Sequence, residues 1–185
     1  MVLYNKIRYS NQQAFAQKVE DISAQLGIDP DWLMLVMYFE SGLNPKAVNK
    51  TSGATGLIQF MPSTARNMGT STESLANMDA LVQLDYVYRY LSPYKGKMSS
   101  LVDVYLSVFY PSAVGKADNY VLGGAGTEIS KKIASQNKIF DTNKDGQITK
   151  GEVATYFENW AHKTLGIQRA KRSFGMFPVM IGFFF

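Results

Sequence analysis

Between Asn11 and Leu26 the apolar residues Phe15, Val19, Ile22 and Leu26 recur at steps of four, three and four. That spacing lines one face of a helix, and Gly27 supplies the stop. A second helix is predicted from Pro30 to about Glu40, because Asp29 offers a side-chain cap and Pro30 stands in the first turn, where no N–H donor is needed. Leu33, Leu35, Val36, Met37 and Phe39 leave this helix no polar face, so it reads as the central helix that the others surround. Ser41-Gly42 and Pro45 end it.

Helical periodicity disappears from Asn44 to Gln59, where Ser52-Gly53 and Thr55-Gly56 suggest turns with room for a small hairpin or an irregular loop. It resumes in a short helix from Pro62 to Gly69, in a second marked by Met78, Leu81, Val82, Asp85, Tyr88 and Leu91, and in a third from Leu101 to Tyr110 stopped by Pro111. Gly123-Gly124-Ala125-Gly126 forms a joint before helical stretches at Glu128 to Phe140 and Gly151 to Leu165, which flank a polar loop. The expected fold is mainly α, a helical bundle around a central buried helix, with the hairpin or loop beside a cleft. It divides into a body over 1–126, a segment over 127–165 and an apolar tail over 166–185.

The 185 residues contain no Cys and one His, His162, which excludes disulfides, thiolate metal sites and any arrangement of two imidazoles. A formal charge of +4 suits an anionic partner without naming one, and nucleic-acid binding, resting on charge alone, is not expected. Met1 to Ser10 has no apolar run of signal-peptide length, and no stretch is long enough to span a bilayer. The tail from Ser173 to Phe185, broken by Gly175, Pro178 and Gly182, is expected to pack on the protein, with a membrane or partner surface as the alternative.

One loop carries metal chemistry. Asp141, Asn143, Asp145 and Glu152 stand at positions one, three, five and twelve of an EF-hand loop. The Gln147 carbonyl takes position seven, Thr149 acts through water at nine, and Gly146 makes the turn. One structural Ca2+ of modest affinity is expected, since no partner hand is evident. A carboxylate also draws notice at Glu40, one turn beyond Val36 and Met37 at the helix end where the dipole disfavours negative charge. Burial and dipole both raise a carboxyl pKa, as a general acid requires; a glutamate reaching solvent from a fraying end is the alternative.

The run Glu40-Ser41-Gly42-Leu43-Asn44-Pro45, with Ala47, Asn49, Ser52-Gly53-Ala54, Gly56-Leu57-Ile58-Gln59-Phe60-Met61-Pro62 and Thr64-Ala65, resembles the soluble lytic transglycosylases and goose-type lysozymes. Weaker similarity extends from Trp32 to Lys116. The resemblance implies a lysozyme-like fold and cleavage of peptidoglycan between N-acetylmuramic acid and N-acetylglucosamine, with Glu40 as the single acid and base and no cofactor for catalysis. It implies that Ser41, Gly56, Leu57, Ile58, Gln59 and Phe60 line the glycan cleft and that Tyr110 stands beside Glu40. The sequence departs at Pro111, where the family carries Asn, and the stretch Leu106 to Pro111 looks like a phage-associated variant. A transglycosylase would release a 1,6-anhydro product and a lysozyme a hydrated one. In the latter, Glu73, Asp79 or Asp85 would position water. A noncatalytic calcium-dependent wall-binding module is the competing class, and a monomer acting in the periplasm or outside the cell is expected.

Overall fold

The computed structural model describes residues 1–166, so the apolar tail beyond Gly166 lies outside the described residues. Among the described residues eight α-helices are formed: α1 (Gln12–Leu26), α2 (Pro30–Ser41), α3 (Pro62–Asn67), α4 (Thr72–Asn77), α5 (Ala80–Leu91), α6 (Leu101–Phe109), α7 (Glu128–Gln136) and α8 (Lys150–Leu165). Among the described residues no strand is built. The 44–60 segment is an irregular loop drawn together by isolated antiparallel bridges between Val48 and Thr55 and between Thr55 and Phe60.

Helix α2 is central. Leu33 to Met37 are all buried, and α2 packs against both α1 and α6, so an apolar sequence on every side finds apolar neighbours on every side. Asp29 accepts a hydrogen bond from the Asp31 N–H at its start, and Gly42 ends it at φ 64°, a left-handed conformation that glycine adopts without a Cβ clash. α1 buries Phe15, Val19, Ile22 and Leu26 as its periodicity requires and packs on α2 and α5.

Three expectations are corrected. α5 buries Ala80, Gln83, Leu84, Val87 and Leu91, whereas Val82 and Asp85 face solvent, so the helix was recognised but its inner face was misphased. The short helix α4 was not anticipated; its signal is Ser71, whose hydroxyl accepts from the Ser74 N–H as an N-cap does. α7 stops at Gln136 rather than Phe140, because Asn137 leaves helical geometry and turns Phe140 into the core.

The 127–165 segment shares its core with the body. Phe157 and Trp160 of α8 meet Phe39 of α2, with ring centroids 4.9 and 4.8 Å apart. Phe140 packs on Phe109 at 5.2 Å. At the head of α8 the Lys150 ammonium, 6% exposed, donates to Asp103 Oδ1 at 2.6 Å, and the Asp103 side chain is 2% exposed. Lys150 also donates to the Lys116 carbonyl, while Gly115 N–H and the Ser99 and Ser100 hydroxyls donate to Asp103. Burial alone would push the Asp103 carboxyl up, but these donors together outweigh it and hold the pKa below the ordinary range. Both carboxylate oxygens and two of the three ammonium protons are thereby engaged, the kind of pairing under which a buried ion pair is tolerated. Lys150→Met, which leaves Asp103 buried without its countercharge, is expected to lower the unfolding free energy by about 3 kcal/mol in urea titration at pH 7. Because the Asp103 pKa is depressed in the fold, the wild-type advantage from this pair is present above the ordinary aspartate range and is lost as pH falls through the folded value.

Candidate active site

Glu40 ends α2, half-buried, where the chain must leave the core. Burial raises its pKa to about 7 from an ordinary carboxyl value, and no charged neighbour contributes to the shift. Its electrostatic influence reaches two phenols, Tyr90 of α5 and Tyr105 of α6. Burial is the larger cause in both: it pushes the Tyr90 hydroxyl up to about 12, with Tyr94 and Glu40 adding to the effect, and raises Tyr105 further still. The Tyr90 hydroxyl donates to the Ser107 carbonyl at 3.2 Å, which fixes its ring across the gap between α5 and α6.

The loop opposite is fastened from two sides. The Ser41 hydroxyl lies 2.9 Å from the Met37 carbonyl and 3.0 Å from the Leu57 carbonyl, so its proton ties the end of α2 to the Gly56–Gln59 turn. Gln83, fully buried on α5, accepts from the Leu57 N–H at 2.6 Å and donates to the Pro45 and Leu75 carbonyls, both at 2.9 Å. One amide side chain thus satisfies buried backbone groups from three separate segments, each of which would be costly to leave unpaired. Gly56 is required here by contact as well as by its φ of 87°, since a Cβ would come within 2.8 Å of the Gln83 Cδ.

Leu57, Ile58 and Phe60 are in the core, backbone and side chain alike. Gln59 is half-buried at φ 52°, a strained conformation for a residue with a Cβ, and its amide nitrogen donates to the Ala47 and Gly56 carbonyls. Its side chain lines a cavity of about 30 Å³ together with Phe60, Met61, Tyr90 and Val108. Tyr110 is half-buried in the turn after α6 and is not among the residues lining this cavity. The Glu40 charge acts on Tyr90 and Tyr105. In sequence Tyr105, with Phe60 and Phe109, offers a stacking surface for sugar rings with core packing as the alternative, and an aromatic on a packed helix carries no local signal that separates the two.

The other acids weighed for a role beside Glu40 have work elsewhere. Asp79 caps α5 through the Leu81 N–H, Asp85 pairs with Lys18 of α1 at 2.7 Å, and Glu73 lies exposed in the first turn of α4, where hydrogen bonds lower its pKa.

In the polar loop, Asp141 accepts from the Asp145 and Gly146 N–H groups, Asn143 from Asp145, and Asp145 from Gln147. Glu152 closes the loop on itself, accepting from the Thr142 and Asn143 N–H groups and from Thr149 as part of a capping box at the start of α8. Ile148 is buried, and its carbonyl accepts from the Leu122 N–H while Val121 bridges Thr149, so residues 120–122 lie along the loop as a second strand would. The donors are hard oxygens suited to Ca2+. Among the described residues, however, no three His, Cys, Asp or Glu side chains gather as a metal-holding group.

Residues 17–86 match the family model of the transglycosylase SLT domain. The match includes Glu40, Ser41, Gln59 and Gln83, and it leaves out Tyr90, Tyr105, Tyr110, the polar loop and α8. The matched segment is that of a transglycosylase domain, and the chain is accordingly an enzyme acting on peptidoglycan. No solved structure matches it.

The raised Glu40 pKa has a measurable consequence for stability. Between the ordinary carboxyl value and about pH 7 the folded state holds a proton that the unfolded state has lost, so stability falls as pH rises through that interval. The penalty amounts to about 3 kcal/mol when complete. Glu40→Gln removes it, and the variant is expected to melt above wild type at pH 8, with the difference vanishing near pH 4.

Proposed function

We propose that this enzyme is a lytic transglycosylase that cleaves the β-1,4 bond between N-acetylmuramic acid and N-acetylglucosamine with Glu40 as its only acid and base. The observation that carries this reading is a carboxyl whose pKa is raised to about 7 by burial alone, at the end of the central helix. Such a group keeps a useful fraction of its proton at neutral pH and can donate it to the glycosidic oxygen as the bond from the muramoyl C1 breaks. The carboxylate left behind takes the proton of the muramoyl 6-hydroxyl, whose oxygen bonds to C1. The products are a 1,6-anhydro muramoyl end and a free 4-hydroxyl, and the proton balance of Glu40 is restored.

Two features favour intramolecular attack over water. A hydrolase with two carboxyl groups needs the second within reach of the sugar, whereas Asp79, Asp85 and Glu73 are committed to a cap, a surface ion pair and an exposed helix start. The neighbours that feel Glu40 are phenols, which are neutral at the working pH. Gln59 holds the glycan. The activity belongs in the periplasm or outside the cell, as for a phage-associated lysin or virion-borne enzyme, and the protein acts as a monomer.

The same reading assigns one structural Ca2+ to Asp141, Asn143, Asp145, the Gln147 carbonyl and Glu152, with Thr149 acting through water. The ion neutralises three carboxylates in one loop and holds α7 and α8 to the body. It takes no part in bond cleavage.

Muropeptide mass spectrometry of digested cell wall is expected to show anhydro products with wild type and none with Glu40→Gln. Products heavier by one water would show hydrolysis, and equal digestion by the two proteins would remove Glu40 from the reaction. Calcium at 100 times its Kd is expected to stabilise wild type by about 2.7 kcal/mol. Asp141→Ala should show no such rise in Tm on adding calcium, and a wild type indifferent to the ion would end the assignment.

A further inference from the structure

Helix α8 lies wholly outside the matched 17–86 segment, yet its side chains reach the catalytic end of α2. Tyr105 of α6, whose phenol feels Glu40, stacks on Phe157 of α8 with centroids 4.5 Å apart and planes at 16°, and on Phe109 at 5.5 Å and 15°. Phe39, the residue before Glu40, meets Tyr105 edge-on at 5.3 Å and meets Phe157 and Trp160 of α8 the same way. Phe157 is fully buried and therefore has no freedom to release the ring it holds. The head of α8 is anchored independently, by the Lys150–Asp103 pair and by the Gly151 N–H bonded to the Asp118 carbonyl.

We propose that α8 is a wall of the catalytic site and that Phe157 is a positioning residue: by stacking on Tyr105 it fixes that ring beside the Glu40 end of α2 and keeps water from the carboxyl. The inference rests on the reading of Glu40 as proton donor and extends it to a helix with no counterpart in the matched segment.

The groups around Glu40 favour packing over charge as the means of control. The titratable side chains that feel it are Tyr90 from α5 and Tyr105 from α6, with Tyr94 acting on the first and Tyr156 of α8 on the second. Tyr90 and Tyr105 are phenols with raised pKa values, uncharged near neutral pH. With no ion among the described residues to hold the proton on Glu40, exclusion of water does so, and that depends on rings staying in place.

The test reads Glu40 directly. The side-chain carboxyl carbons of the six glutamates are followed by NMR against pH in 13C-glutamate-labelled protein, and the Glu40 signal is the one lost in Glu40→Gln. Phe157→Leu and Tyr105→Leu are expected to lower the Glu40 midpoint by about one pH unit or more, toward the ordinary glutamate value of about 4.3. The limb of the kcat/KM profile that reports Glu40 should move with it. Tyr105→Phe keeps the ring and should keep the midpoint. Phe15→Leu, a fully buried change in α1, is expected to lower Tm while leaving the midpoint in place, which separates positioning from general loss of stability. If Phe157→Leu does not fold, Phe157→Met and Tyr105→Leu decide the matter in the same way. A raised wild-type midpoint that a folded Phe157 variant leaves unmoved overturns this inference alone. A wild-type midpoint near 4 overturns the reading of Glu40 as the acid as well.

Discussion

A carboxyl group withheld from water at the end of an apolar helix is the constraint around which the rest of this molecule is arranged. Desolvation of Glu40 works against folding wherever the surrounding solution favours the anion, and no charge among the described residues offsets it. A fold can keep such a group only if its packing is strong elsewhere. Here the packing comes from α2, whose apolar surface is covered by α1 and α6, and from the rings of Phe39, Tyr105, Phe157 and Trp160.

Around that group the backbone is secured by polar side chains more than by regular structure. The 44–60 loop has no strand ladder, so its N–H and carbonyl groups need other partners, and Gln83 and Ser41 provide them. Gln83 holds Leu57, Pro45 and Leu75 in register, and the close approach at Gly56 depends on its side chain. The strained Gln59 backbone persists because the turn on either side is pinned. A cleft wall made in this way keeps its shape with no sheet behind it.

The chain beyond residue 126 gives a different lesson. A glycine-rich joint and a metal-type loop read naturally as the start of a separate segment, but its last helix is joined to the body by a buried ion pair and by stacked aromatics. Residues 120–122 run beside Ile148 and Thr149 by the same logic: exposed loop backbone is satisfied by whatever strand-like segment the fold brings near.

Apolar faces of helical period were enough to place α1, α2 and α6, and Pro62 with Gly69 at its boundaries placed α3. The pattern drew notice to Glu40 as a carboxylate at the end of a helix with no polar face, but the role of acid came from the resemblance carried by the run from Glu40 to Ala65. The inner face of α5 was not legible: Gln83 is polar by composition and fully buried in fact, and a hydrophobicity pattern counts it on the wrong side. Nor was the reach of the Glu40 charge to Tyr90 and Tyr105, which in sequence stand on their helices like any other packed aromatic. Local propensity and spacing are properties of neighbours along the chain, so they determine helices and an anomalous acid. The partial desolvation that raises the pKa of that acid comes from residues dozens of positions away, and only tertiary packing brings them together.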